Sequence, residues 1–477
     1  MQMISFAFFG LAAAVYLCLY IIGKAVKKDH TCILVSNIVL LAASYAFLAY
    51  VDYRFALVLA ALTVITWLCA RSRRAIVVGV IFAVLILAFF KYFNFFAESF
   101  TKLFGADFTA LNIILPVGIS FYTFSAISYL IDVKREKIKS KNLFDVALYL
   151  SFFPKLTSGP IQRSADFFSQ SEKRRNIGVE NFSEGIQIFV FGLFKKIVLA
   201  DRLSVFVDQV YATPNVFSSA TVLLAVISYS LQIYFDFSGY SDMAVGVAKI
   251  LGFDLPRNFN LPYVAHNVTE LWKRWHITLS SWLRDYVYIP LGGNRKGKVR
   301  AYINLIVTMA VGGLWHGADW TFLIWGLLHG IALVVHKIWM AITKSKENAH
   351  SWFANCISIF LTFLFTTFCW IFFRADSFSH ATAVIQRIFS FEGGVEQPYI
   401  WTFVAIAVLI GAVVWALIKS KKGAKSKKSG QNTSFITGFY PIMDLKRFWG
   451  IVAFIVLIGL TVGMAYTGNS PFIYGNF

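Results

Sequence analysis

Two histidines stand forty residues apart within tryptophan-rich stretches, His276 in WHITLSSW and His316 in GGLWHGADW. An imidazole, with an ordinary pKa of about 6.5, can take a proton from a hydroxyl at neutral pH and return one to a leaving group. A hydroxyl that attacks a thioester or ester needs such a base, together with hydrogen-bond donors for the developing oxyanion. His316 can be the base, and His276, Ser238, Ser241 or the indoles of Trp272 and Trp315 can supply donors. His276, four residues after Trp272 and three before Leu279, falls on the apolar, inward face of its expected helix, where by spacing alone a packing histidine is the usual reading. His329 and His336 lie seven residues apart on one helix face, but no third ligand is near in sequence, so interhelical hydrogen bonding is the better reading than a metal pair. No GxSxG, HExxH or Walker A pattern occurs, which leaves serine-hydrolase, zincin and NTPase chemistry without support.

The elements that must position these groups are membrane helices. The chain has 477 residues, 58% hydrophobic and only 14% charged, with a mean hydropathy of +0.66. A soluble domain is nearer a quarter charged, so the class is a polytopic membrane protein. The net charge of +20 does not indicate nucleic acid, because the basic residues sit in short clusters between apolar runs. That pattern follows the positive-inside rule, with the lipid bilayer and its anionic headgroups as partners. Five scattered cysteines, without CxxC spacing, read as small core residues rather than a disulfide framework or metal site.

Apolar runs at 3–24, 31–50, 54–70, 75–96 and 111–132 are long enough to span. The clusters Lys24 to Lys28, Arg71 to Arg74 and Lys134 to Lys141 follow the first, third and fifth, which puts them on one side, the cytoplasmic one. The first run reads as an uncleaved span with its N-terminus outside. In LFDVALYLSFFPKLTSGPIQR, Pro154, Gly159 and Pro160 break an apolar run, which predicts a re-entrant element. The span 184–207 carries Lys195 and Lys196, which either snorkel, pair with Asp201 or bind an anionic ligand. Further spans are expected at 301–315, 320–342, 352–374, 398–419 and 446–467, and both termini count as extracytoplasmic.

Asn267 followed by Glu270 is a capping-box signature, predicting an amphipathic helix from there to Pro290 at the membrane interface. Gly312, Gly313 and Gly317 allow either close backbone approach or a break in the helix, and His316 is expected on irregular backbone beside Trp315 and Asp319. Asp236 and Asp242 read as structural pairing groups.

The stretches FFPKLTSGPIQR (152–163), YFDFSGYSDMAVGVAKILGFDLPRNFNLPY (234–263), ELWKRWHITLSSWLRDYVYIPLGGNRKG (270–297), GGLWHGADWTFLIWGLLHG (312–330) and WIFFRADSF (370–378) resemble the membrane-bound O-acyltransferase (MBOAT) superfamily. They are most similar to its bacterial polysaccharide O-acetylation branch, the alginate O-acetyltransferase-like proteins. The resemblance implies an all-α fold of about eleven transmembrane helices, with re-entrant and interfacial helices around a central tunnel. It implies one membrane domain over 1–477: N-terminal helices 1–132, a catalytic core 143–380, and C-terminal helices 398–477 with an extracytoplasmic tail. His316 matches the superfamily's principal histidine and His276 its second position; His329 is a helper in the LHG motif. Such proteins take an acetyl group from a cytoplasmic thioester, acetyl-CoA, with no bound cofactor. Lys155, Lys195, Lys196, Arg274 and Arg295 are the candidates for holding that donor. The resemblance also implies a place in the bacterial cell membrane and a separate extracytoplasmic SGNH-type acetyltransferase partner that completes transfer to a surface polysaccharide. Tyr474, in the aromatic tail NSPFIYGNF, can carry the acyl group to the partner or simply anchor the tail. Competing readings are D-alanyl transfer to teichoic acid by a sister branch and a transporter or flippase without acyl-transfer chemistry.

Overall fold

The structure, a computed structural model, describes residues 5–105, 107–343, 351–426, 443–466, 468 and 473. Among these residues every regular element is a helix, and strand pairing is limited to one isolated bridge between Phe217 and Val395. The protein is therefore an all-helical membrane protein, as its composition requires.

Helices α1 (Phe6–Ala25), α2 (Asp29–Val51), α3 (Tyr53–Cys69) and α4 (Arg73–Leu87) follow one another through short turns, each packed on the next. Their outward faces carry exposed Leu17, Ile21, Leu34, Leu57, Val78 and Ile81, an apolar surface suited to acyl chains. A π turn (Ala88–Tyr92) links α4 to α5 (Phe93–Leu103). The span expected from residue 111 begins later, as α6 (Ile119–Lys134). Pro116 holds the residue before it extended, and Gly118 takes a left-handed φ of 76°, so the helix cannot start earlier.

The broken element is α7 (Leu143–Ser151) followed by the four-residue α8 (Phe153–Leu156). Pro154 has no N–H, and its ring would strike the Leu150 carbonyl, so the chain turns out of the helix at Phe152. The irregular backbone beyond it is enclosed by protein. Ile161 N–H donates to Thr278 Oγ1 at 3.0 Å, and the Gln162 carbonyl accepts from Tyr149 Oη at 2.9 Å. After α9 (Ser164–Ser171), α10 (Val179–Leu193) runs through a second π turn (Phe194–Ala200) into α11 (Asp201–Ala212).

The central element is α12 (Ser219–Ile250), 32 residues long and buried over most of its length. It packs against α10 with backbone nearly touching backbone: a Cβ on Gly239 would lie 2.7 Å from the Gly192 carbonyl oxygen. The short helices α13 (Val268–Arg274) and α14 (Ile277–Leu283) precede the hairpin of α15 (Lys298–His316) and α16 (Trp320–Thr343). Then come α17 (Trp352–Arg374), α18 (Phe378–Phe389), α19 (Ile400–Ser426) and α20 (Phe448–Gly463). Among the described residues six stretches are long and apolar enough to cross a membrane: α1, α2, α4 through α5, α12, α16 and α17; α3, α20 and residues 400–415 of α19 are shorter apolar helices. The count of about eleven spans is thus not met by length and apolarity alone.

The basic clusters gather on one face through direct contacts. Arg174 binds the Gly23, Val26 and Lys27 carbonyls and Asp29, Lys141 pairs with Glu172, and Arg73 pairs with Glu136.

Candidate active site

The predicted helix over 267–290 forms only in pieces. Asn267 Oδ1 accepts from Glu270 N–H at 2.8 Å, so the N-cap is as expected. Burial pushes the Glu270 carboxyl up, but hydrogen bonds from the His266 backbone and ring and from Arg274 hold it below its ordinary value. The helix then stops at Arg274, and His276 takes the left-handed conformation (φ 40°, ψ 54°). The cause is tertiary. Residues 258–260 cross the break and take over its hydrogen bonds: Asn260 N–H donates to the Arg274 carbonyl at 2.9 Å, and Ile277 N–H to the Asn258 carbonyl at 2.9 Å. Asn258 Oδ1 also accepts from Thr278 Oγ1 at 2.5 Å. His276 reaches the interior through this break, not through a helical face, and is 0% exposed.

Helix α15 corrects a second expectation. It continues through Gly312 and Gly313 to His316, so His316 is helical rather than on irregular backbone, and of the two readings of the glycines close backbone approach holds at Gly313. Gly313 serves close packing: a Cβ there would lie 2.3 Å from the Phe322 carbonyl oxygen and 3.1 Å from Gly326 Cα on α16. The chain turns out only at Gly317, which is extended, and Asp319 Oδ1 then accepts from Thr321 N–H at 2.8 Å to cap α16. His316 is thus the last residue of a 19-residue helix that starts at the basic face, about 28 Å away along the axis.

These two chain features bring the imidazoles together. The His276 and His316 rings have centroids 6.5 Å apart, with Trp315 4.9 Å from His316 and 6.0 Å from His276. Trp325 stands between His316 (5.1 Å) and His329 (5.0 Å), and Trp272 meets His329 edge-on at 5.2 Å. Phe373 closes the site over His316 at 5.2 Å, and Phe237 lies 4.6 Å from His276. Trp315 is held by stacking on Phe124. Within this aromatic box both nitrogens of His276 and of His329, and the indole N–H groups of Trp272, Trp315 and Trp325, are buried without a hydrogen-bond partner. Unsatisfied buried polar groups each cost about 1–3 kcal/mol. Chemically, such a cluster can receive a polar ligand, with donors suited to an oxyanion beside bases suited to a hydroxyl proton.

The other sequence candidates divide. Ser241 is engaged by Asn258 Nδ2 at 3.1 Å, while the buried Ser238 hydroxyl has no partner. Lys195 pairs with Asp242 (2.6 Å), and Lys196 with both Asp236 (2.6 Å) and Asp201 (2.7 Å). These carboxylates are therefore in the pairing role expected of Asp236 and Asp242. Arg274 pairs with Glu270, and Arg295 is exposed on the basic face. Lys155 is buried, its Nζ 4.1 Å from the Tyr149 ring centroid and 4.7 Å from that of Phe167, with no hydrogen-bond acceptor. It lines a small cavity with Phe121, Tyr122, Ser125 and Pro160. Tyr474 lies outside the described residues. Among the described residues Ile473 donates its N–H to Asp236 Oδ2 on α12 at 2.9 Å. Sequence reasoning missed Trp325 and Phe373, whose signal was an aromatic residue four before His329 and one just before Arg374. It also missed Lys91 and Tyr92, which contact the carbonyls at the end of α15; a lysine late in an apolar span was their only signal.

Comparison with known proteins gives this site a context. The family model for membrane-bound O-acyltransferases matches residues 118–375. The chain is 40% identical over 372 residues, 74% of its length and 70% of the relative's, to the protein described as probable alginate O-acetylase AlgI in Pseudomonas aeruginosa. It is 39% identical over 351 residues, 68% of its length and 66% of the relative's, to a peptidoglycan O-acetyltransferase of Helicobacter pylori. A teichoic acid D-alanyltransferase of Streptococcus thermophilus is 30% identical over 272 residues, 52% of this chain and 65% of the relative. The matched region holds His276, His316, His329 and the surrounding tryptophans, and the chain belongs to the membrane-bound O-acyltransferase family, as an O-acyltransferase.

Proposed function

We propose that the protein moves an acetyl group from acetyl-CoA on the cytoplasmic side to the O-acetylation of an extracytoplasmic polysaccharide, with His316 as the key catalytic residue. The observation that carries this reading is the pair of buried imidazoles with centroids 6.5 Å apart, in a box of unpartnered indole donors. The greater identity to O-acetylating relatives than to the D-alanyltransferase supports acetyl over D-alanyl transfer.

In the chemical step His316 takes the proton from an acceptor hydroxyl. The hydroxyl oxygen bonds to the thioester carbonyl carbon while the indole N–H groups and His276 steady the oxyanion. Collapse breaks the C–S bond, and the proton passes from the imidazolium to the departing thiolate. Arg295 and the other basic groups at the cytoplasmic rim attract the anionic donor. The acceptor is the Tyr474 hydroxyl, which passes the acetyl group to an SGNH-type partner acting on the polymer. The bilayer is the bacterial cytoplasmic membrane, with the basic clusters inside and both termini outside; the contacts that gather those clusters on one face support that orientation.

The test is His316→Ala in a strain that makes the polymer. Alkali-labile acetate on the polymer should disappear while the protein stays at normal level in the membrane. Normal ester content would remove His316 from the mechanism and favour a transport role, and alkali-labile D-alanine in place of acetate would reassign the acyl group.

A further inference from the structure

A helix leaves its last four carbonyls without backbone donors. A following glycine in the left-handed conformation commonly supplies them. Gly317, directly after His316, is extended instead (φ −157°, ψ 150°), so the end of α15 needs donors from elsewhere. They come from two consecutive residues of the π turn between α4 and α5. Lys91 Nζ donates to the Trp315 carbonyl at 2.5 Å and to the His316 carbonyl at 3.2 Å. Tyr92 Oη donates to the Leu314 carbonyl at 2.8 Å. Carbonyls 314, 315 and 316, the three that end at the key histidine, are thus all held from one point.

Among the described residues Lys91 has no carboxylate partner; its other neighbours are the ring faces of Trp315 (5.8 Å) and Tyr92 (6.0 Å). A lysine amine among membrane helices is expensive and calls for a specific reason. The reason here is the helix end itself: the amine donates to two carbonyls that have no donor from a following turn. A π turn inserts one extra residue into a helix and is frequent at functional sites. The turn at Ala88–Tyr92 sits at the position from which both side chains meet α15.

We propose that Lys91 and Tyr92 are positioning residues for acyl transfer, clamping the C-terminal end of α15 and through it the imidazole of His316. This rests on His316 being catalytic. The clamp fixes the histidine against Trp325 and Phe373 on the other side, so that its reactive nitrogen stays at one depth in the site.

The experiment uses membrane vesicles from cells that make the acceptor polymer. Transfer from radiolabelled acetyl-CoA to polymer is followed over a range of donor concentrations, scaled to the folded chain present. Lys91→Met should lower kcat by about 10- to 100-fold, the scale expected for misplacing a catalytic group by about 1 Å, with the KM for acetyl-CoA unchanged. Lys91→Arg, which keeps the donors, should recover most of that loss, and Tyr92→Phe should cost less than Lys91→Met. In a His316→Ala background Lys91→Met should add nothing. Wild-type kcat in Lys91→Met, with His316→Ala inactive, overturns the clamp alone. So does a loss that appears only as less folded protein and is not rescued by arginine. Wild-type transfer in His316→Ala overturns the catalytic reading and the clamp with it.

Discussion

Replacing Gly313 by alanine tests whether the α15–α16 hairpin positions His316. An alanine Cβ at 313 would sit 2.3 Å from the Phe322 carbonyl oxygen, where ordinary van der Waals contact begins at 3.4 Å. The obstacle is backbone on a packed helix, so it cannot swing away like a flexible side chain. Relief therefore requires the two helices to part by about 1 Å at this level, with an overpacking cost of about 1–3 kcal/mol. His316 is three residues further along α15, while its neighbour Trp325 is on α16, so that movement falls directly on the His316–Trp325 contact. A displacement of about 1 Å at reacting groups lowers rate by about 100-fold. Gly313→Ala should therefore keep a folded, membrane-inserted protein yet lose most polymer acetylation, measured as alkali-labile acetate per unit of protein. Gly411→Ala on α19 is the control: its Cβ would meet nothing within 4 Å, and activity should be unchanged. Wild-type acetylation in Gly313→Ala would refute the reasoning, since it would mean that the hairpin spacing does not set the site.

Two further outcomes follow from the ion-paired core and the tail. Lys196→Met leaves Asp201 and Asp236 without their shared cation, and removing one partner of a buried pair costs about 3–5 kcal/mol, so the thermal midpoint in detergent should fall sharply. An unchanged midpoint would show that the carboxylates are neutralised by other means. Tyr474→Phe should abolish polymer acetylation while acetyl-CoA binding to the purified chain is retained; normal acetylation would make the tail an anchor.

Much of the fold class is written into one dimension. Apolar runs of membrane length and basic clusters between them follow from the cost of polar groups in lipid, and that cost does not depend on how the helices pack. Pro154 likewise announces a break wherever α7 lies, because a missing N–H and a ring clash are local. His276 and His316 could be singled out by residue type and setting. Their meeting could not, because it depends on contacts between distant segments.

What the sequence determined by itself was therefore the solvent, the helical class, the breaks made by proline and the residue types able to do acyl transfer. The tertiary structure decided the rest. Asn258 and Asn260 end a helix that local capping would have continued, and so turn His276 inward. Gly313 proves to be a close packing contact rather than a helix break, a choice its residue type left open, because only the partner backbone of α16 reveals how close it comes. Lys196 keeps the Asp201 partner that the sequence already offered, but only the packing of α12 supplies Asp236 to Lys196 and Asp242 to Lys195. Lys91 and Tyr92 acquire a role only where α15 ends beside them. In each case the deciding term is a contact between residues remote in sequence, whose geometry local propensity does not contain.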